Sequence, residues 1–170
     1  RNGNEQTLVI GKREGAYKDM PLARPFKVKV LSSLIPQSVT VNGHPAKYHY
    51  SGEDFALLID VPAQACDQEK VVKIVYPSEK VDLNGLLGAS RRIAKSMEQL
   101  KYRNSYIVFK EEFGKMGSLS EAVTYAPSEM PALIADFWKS YNELPAVLER
   151  QGMKSDLATW FLQSVCWSKR

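Results

Sequence analysis

The first half of the chain alternates apolar and polar residues over short stretches, which is the pattern of half-buried strands. In the clearest stretch, Phe26, Val28 and Val30 alternate with two lysines. A period of two places successive side chains on opposite faces of a strand, so one face of this stretch is predicted to be buried. The same reading predicts six strands, at residues 7–10, 26–31, 38–41, 46–50, 55–61 and 71–76.

Turn residues separate these strands, and no helical pattern lies between them. Asn42 and Gly43 form the dipeptide that most strongly indicates a tight hairpin, here joining 38–41 to 46–50. Short strands joined by turns predict an antiparallel β-sandwich. Parallel βαβ units are excluded because no helix connects the strands.

The second half changes to the period of an amphipathic helix. Helices are predicted at residues 82–102, 118–125, 128–144, 146–151 and from 155 onward, with Ser128 and Ser155 as helix caps. Residues 104–113 fit either a short helix or an extended segment. Four or five helices in this length predict a small bundle.

The predicted fold is therefore α+β, an antiparallel β-sandwich followed by a small α-helical bundle. The sandwich is assigned to residues 1–78 and the helical domain to residues 79–170. The joining segment, residues 77–81, is too short for a flexible tether, so we expect the two halves to touch.

Composition narrows the class of protein. The 170 residues are 44% hydrophobic and 25% charged, as expected of a globular domain. The net charge of +4 is spread along the chain, and no face is basic enough to predict a nucleic-acid partner. No run approaches the roughly 20 apolar residues of a membrane span, so no membrane partner is expected. Since the chain begins at Arg1 without Met or a signal peptide, we expect it to be an excised fragment.

The cysteines and histidines are too few to predict a metal site. Cys66 and Cys166 lie in different halves, and a disulfide would require their Cα atoms within about 7 Å, so we expect free thiols. His44 and His49 lack the spacing of metal ligands. We expect neither a metal nor another cofactor.

The sequence from residue 7 to residue 50 carries a family resemblance. It reads TLVIGKREGAYKDMPLARPFKVKV and then, from residue 38, SVTVNGHPAKYHY. The ordered features are Gly15, Tyr17, Met20, Arg24, Phe26 and the pair Asn42-Gly43. This order resembles the small β-sandwich domain that follows the catalytic barrel in glycoside hydrolase family 31, the family of α-glucosidases and α-xylosidases. The resemblance covers about residues 5–77 and leaves the helical half unassigned.

The resemblance implies a parent enzyme that hydrolyses α-linked glucosides or xylosides with retention of configuration. Such enzymes use a pair of carboxylic acids, which in this family lie on the barrel. The barrel segments are not in this chain, so no catalytic residue is assigned. We expect a non-catalytic accessory fragment that braces the barrel of its parent chain. By the same resemblance the parent is expected to be periplasmic or secreted, although these residues do not by themselves give the compartment.

The acidic residues of this chain are not predicted to form an independent active site, because they lack partners of defined geometry. Glu53 and Asp54 lie in a turn, and Glu111 and Glu112 are predicted to form a solvated face. Asp19 is predicted to pair with Arg24 as a structural clamp of the loop at residues 15–24.

That loop carries Tyr17, Met20 and Leu22, which an ordinary solvated loop does not need. We predict that these three side chains pack back onto the protein. The alternative is that they contact the barrel.

Two other functions remain open: sugar binding, which the predicted sandwich and the aromatic residues support, and protein interaction through the helical half. Trp138 and Trp160 lie on apolar stripes and are predicted to be core, whereas Trp167 lies off its stripe and is predicted to be the most exposed tryptophan. Exposed aromatic rings can stack on sugars, so Trp167 and Tyr102 are the candidate residues of an autonomous carbohydrate-binding module. A protein-interaction module that docks through the helical half is the remaining alternative.

Overall fold

The computed structural model describes residues 3–77, 80–104 and 106–169. The chain divides into two compact units, Arg1–Lys80 and Val81–Arg170. The first contains strands and the second contains helices, so the predicted α+β fold, with sheets followed by helices, is confirmed. The predicted boundary between residues 78 and 79 lies outside the described residues.

Seven antiparallel strands form two sheets in the described part of the first unit. They are β1 (Glu5–Ile10), β2 (Ala23–Val30), β3 (Ser38–Val41), β4 (His44–Pro45), β5 (Tyr48–Ser51), β6 (Ala56–Ala65) and β7 (Lys70–Val75). One sheet has the order β1-β7-β3-β4 and the other the order β2-β6-β5. The consecutive strands β6 and β7 are therefore inner strands of different sheets.

Alternation along the inner strands supplies the core of this unit. Leu57, Ile59 and Val61 of β6 are buried, as are Val72 and Ile74 of β7. Full burial of one such side chain contributes about 1.5–3 kcal/mol to the free energy of folding. The apolar face of β2 pairs with that of β6, residue against residue, which confirms the face predicted from the alternation near residue 26.

The predicted strand at 46–50 is only partly right, because the chain forms β4 (His44–Pro45) before this range and β5 (Tyr48–Ser51) at its end, in different sheets. Asn42 and Gly43 form the expected turn with positive φ values of 49° and 81°, but the returning strand β4 is only two residues long. It ends at Pro45, which has no N–H to donate to a ladder. The chain then crosses to the other sheet, where β5 pairs with β6.

A buried lysine holds the connection between β6 and β7. Lys70 is 1% exposed, and its Nζ donates to the carbonyls of Ala65 and Gln68, each at 2.6 Å. Nζ also lies 5.9 Å from the centroid of the Phe26 ring. The lysine thus satisfies carbonyls of the turn that brings the chain from one sheet to the other.

Six α-helices and one 3-10 turn lie in the described part of the second unit. They are α1 (Leu86–Arg103), α2 (Glu111–Gly117), α3 (Leu119–Tyr125), the 3-10 turn (Pro127–Glu129), α4 (Met130–Asn142), α5 (Leu144–Gln151) and α6 (Ser155–Ser164). The core includes Ile93, Phe113 and Phe161, and the last two rings meet edge to face at 5.2 Å between centroids. Among the helices described, none is long and apolar enough to cross a membrane.

Helix boundaries differ from the predicted ones where local geometry decides them. The first helix starts at Leu86 rather than at residue 82, because Gly85 takes a left-handed conformation with φ 68°. The predicted cap at Ser155 is wrong: Lys154 is the N-cap of α6 and no side chain caps that end. Ser128 lies within the 3-10 turn and does not cap α4. The undecided segment at 104–113 becomes α2 only from Glu111, and residue 105 is outside the description.

Replacing the buried lysine tests the role of the β6–β7 turn. Lys70→Met keeps an unbranched side chain but removes the amino group. The Ala65 and Gln68 carbonyls then lose the hydrogen bonds that this group donates. A hydrogen bond from a charged group contributes about 1.5–3 kcal/mol, so the free energy of unfolding should fall by about that amount. Lys73→Met is the matched control, because Lys73 is exposed on the same strand. Urea denaturation measures both, and equal effects of the two changes would contradict the assigned role.

Candidate functional site

The loop between β1 and β2, residues 11–22, is anchored at both ends to the β6–β7 turn. The Arg13 N–H donates to the Cys66 carbonyl at 2.8 Å, and the Cys66 N–H donates to the Leu22 carbonyl at 2.8 Å. The Arg13 side chain adds a bond from Nη1 to the Pro21 carbonyl at 2.9 Å. These bonds fix the backbone where the loop leaves one sheet and enters the other.

The anchored loop exposes apolar side chains. Tyr17 is 65% exposed and Leu22 is 80% exposed, whereas Met20 is half-buried. The prediction that all three pack back onto the protein is therefore wrong for Tyr17 and Leu22. We call these two residues the loop-tip surface. Their side chains gain nothing from burial within this unit, so they are available to a partner.

The predicted clamp residues are placed separately, with Asp19 on the loop and Arg24 on β2. Asp19 and Arg24 are both exposed, and within the described residues no ion pair joins them. Asp19 takes a left-handed conformation with φ 63°, which a short polar side chain tolerates. Arg24 adjoins a bulge in the pairing of β2 with β6. The contact that closes the loop is made by Arg13, a residue to which the sequence pattern gave no role.

The candidate sugar-binding residues differ in availability. Tyr102, near the end of α1, is 83% exposed. Trp167 is half-buried, and its Nε1 donates to the Tyr141 carbonyl at 2.7 Å. Within the described residues no ring contact joins Tyr102 to Trp167. Trp167 is thus held by the bundle rather than presented as a free platform.

The other two tryptophans are also half-buried and occupied, so the predicted contrast with Trp167 is wrong. Trp138 donates from Nε1 to the Asp82 carbonyl at 2.7 Å, and its ring meets Tyr141 edge to face. The Arg103 guanidinium lies 4.4 Å from the centroid of the Trp160 ring. One face of that indole is therefore covered, which leaves less ring for a sugar to stack on.

Further exposed apolar side chains lie at the end of α1 and in the segment that follows it. Tyr106 is 92% exposed and Val108 is 81% exposed, and we call these residues together with Tyr102 the tyrosine strip. The side chain of Gln151 anchors the segment: Nε2 donates to the Val108 carbonyl at 2.7 Å, and Oε1 accepts from the Lys110 N–H at 2.8 Å. The sequence left this segment undecided because its pattern fits both a short helix and an extended segment.

The adjacent acidic residues Glu111 and Glu112 are both engaged in ion pairs. Glu112 accepts two bonds from Arg150, at 3.0 Å from Nε and 2.7 Å from Nη2, and Glu111 pairs with Lys115 at 2.6 Å. The hydrogen bonds from these cations lower the pKa of both carboxyl groups. A general acid of a glycosidase needs a raised pKa, so the shift has the opposite direction.

Other titratable groups are structural or exposed. Tyr50 donates to the Ser33 carbonyl at 2.8 Å, and burial, with a smaller effect of Tyr76, raises the pKa of its hydroxyl. Cys66 is buried and Cys166 is exposed, both as free cysteines. In the part of the chain that the structure describes, no group of three or more His, Cys, Asp or Glu could hold a metal ion.

Comparison of the chain with protein-family models, with curated proteins and with solved structures found no match. The resemblance to family 31 glycoside hydrolases therefore remains a prediction that rests on the residues quoted above. The described residues offer two candidate contact surfaces, the loop-tip surface and the tyrosine strip.

The paired acid gives a pH-dependent contribution to stability. Because the pKa of Glu112 is lowered in the folded state, its stabilising effect is present above the ordinary value of 4.5 and is lost as the pH falls through the folded-state pKa. Glu112→Gln should therefore reduce the free energy of unfolding at pH 7 and have a vanishing effect in acid. Urea denaturation at several pH values measures this, with Glu121→Gln on exposed α3 as control. A difference that grows in acid would contradict the ion-pair assignment.

Proposed function

We propose that this chain is a non-catalytic accessory part of a family 31 glycoside hydrolase and that its β unit braces the catalytic barrel of the parent chain. The observation that carries the proposal is the loop-tip surface, where Tyr17 and Leu22 are exposed on an anchored loop. The resemblance supports it, because Tyr17 lies in the ordered motif shared with the family.

Docking this surface on a second domain is physically favourable. Burial of an apolar side chain contributes about 1.5–3 kcal/mol, and neither residue gains that within its own unit. The loop ends are already fixed through Cys66 and Arg13, so less conformational entropy is lost when the loop docks. The exposed Tyr17 and Leu22 side chains offer apolar area that a second protein surface can remove from water.

A non-catalytic role agrees with the state of the acids. Glu111 and Glu112 are ion-paired, with lowered pKa values, and Asp54 pairs with Lys29 at 2.5 Å. The resemblance places both catalytic acids on the barrel. The parent's activity on α-glucosides or α-xylosides is part of this proposal.

A second candidate function is carbohydrate binding by the helical unit. The tyrosine strip favours it, because exposed Tyr102 and Tyr106 rings can stack on sugar rings. The bonds from Gln151 hold the backbone beside them, which would limit the entropy lost on binding.

The bracing proposal predicts different effects in the isolated chain and in the parent. A double change, Tyr17→Ser with Leu22→Ser, should alter the stability of the 170-residue chain by less than about 0.5 kcal/mol, since both side chains are exposed there. In the parent chain that carries the barrel, the same change should lower the melting temperature. Differential scanning calorimetry measures both.

The matched control for this experiment is Tyr125→Ser, because Tyr125 is 86% exposed on α3 and lies outside the loop. It should leave both proteins unchanged. A parent in which the double change and the control behave alike would show that the loop-tip surface does not brace the barrel.

The second candidate predicts sugar binding by the 170-residue chain alone. Calorimetric titration with α-gluco- and xylo-oligosaccharides should then show binding that Tyr102→Ala weakens about tenfold, as expected for loss of a stacking ring worth about 1.4 kcal/mol. Tyr125→Ala is the control for general surface effects. No heat of binding at millimolar sugar would rule this candidate out.

A further inference from the structure

The edge strand β1 is less protected against pairing than the other sheet edges, since Glu5 is its only charged residue. Edge strands in natural proteins are blunted by proline, lysine, bulges or short length. Strand β2 carries Pro25, two lysines and a bulge, while β4 has two residues and β5 has four. Strand β1 has six residues, EQTLVI, in unbroken register with β7. Its other side has no partner strand within the described residues.

The hydrogen-bond pattern identifies which backbone groups face this open side. The Tyr76 N–H donates to the Asn4 carbonyl at 2.8 Å, and these two residues lie opposite each other in the register that continues into β1 and β7. Bonded and non-bonded pairs alternate along an antiparallel ladder. Residues 6, 8 and 10 therefore bond to β7, and the N–H and C=O groups of Glu5, Thr7 and Val9 point to the open edge.

We propose that β1 is a homodimer interface, at which a second copy of this chain adds its own β1 in antiparallel register with Thr7 opposite the partner's Thr7. In this register Glu5 faces the partner's Val9, and Val9 faces the partner's Glu5. Every edge-facing residue of one copy then meets an edge-facing residue of the other, and each pair exchanges both N–H···O bonds. A shift of two residues leaves a terminal pair unmatched.

Side chains on the outer face agree with this register. Glu5, Thr7 and Val9 all point to that exposed face, and Val9 is 57% exposed. The two Thr7 side chains form a favourable cross-strand pair, and no like charges are opposed, because Glu5 meets a valine. This self-complementarity favours a second copy over an unrelated strand.

The inference goes beyond the proposed function and does not depend on it. Bracing of the barrel depends on the Tyr17 and Leu22 side chains and is tested by the melting temperature of the parent chain. Strand pairing depends on the β1 backbone and is tested by the molecular mass of the 170-residue chain in solution. Failure of one therefore leaves the other in place.

Sedimentation velocity over a concentration series tests the dimer. The 170-residue chain should shift from monomer to dimer as concentration rises. Thr7→Pro removes an edge-facing N–H that β7 does not use, so the fold is kept and the dimer should be lost. Thr7→Val keeps the N–H and should still dimerise, which separates a backbone role from a side-chain role. Circular dichroism of each variant verifies the fold.

Charge at Val9 tests the register. Val9→Glu places like charges opposite each other at two symmetry-related pairs and should raise the dimer dissociation constant about three- to tenfold. Val9→Lys faces the partner's Glu5 and should leave the constant unchanged or lower it. A chain that stays monomeric at all concentrations, grows beyond dimer, dimerises with Thr7→Pro, or responds equally to both charges would overturn the proposal.

Discussion

The β unit depends on the buried amino group of Lys70. Strands β6 and β7 are consecutive in sequence but are inner strands of different sheets, so the chain must turn between the sheets right after Ala65. Turns leave backbone carbonyls without partners, and burying them unsatisfied is costly. The bonds from Nζ to Ala65 and Gln68 remove that cost. The same turn then offers the N–H and C=O of Cys66 to the loop between β1 and β2.

Both units use a long polar side chain to hold an irregular segment that exposes apolar residues. In the β unit, Arg13 bonds the Pro21 carbonyl next to exposed Leu22. In the helical unit, Gln151 supplies a donor and an acceptor to the backbone at Val108 and Lys110. A fixed backbone lowers the entropy cost of binding, so these segments suit recognition better than mobile loops would.

Several polar side chains in the described part of the molecule form hydrogen bonds or ion pairs within the protein. The indole N–H groups of Trp138 and Trp167 bond carbonyls, and Glu112 is clamped by Arg150. Groups used in this way keep their geometry but are not available for proton transfer or ligand binding. The exposed side chains also include large apolar ones, among them Tyr17, Leu22 and Tyr102, and the outer edge of β1 has no partner strand within the described residues.

The sequence by itself determined the order of strands and helices, because period and turn chemistry are local. Alternation fixed the buried face of β2, and Asn42-Gly43 fixed the turn after β3. It did not reveal that β4 and β5 separate, since the sheet that a strand joins depends on distant partners. Likewise the burial of Lys70 contradicts its usual surface position, and only carbonyls brought there by the turn make it favourable.

Exposure was the property that only the tertiary structure decided. Tyr17 and Trp167 are both aromatic residues outside a clear stripe, yet Tyr17 is exposed and Trp167 is half-buried under a bond to Tyr141. Both outcomes differ from the sequence prediction, because burial depends on which elements pack against a residue. The free edge of β1 arises in the same way, since a strand is an edge only through the absence of a neighbour in the sheet order.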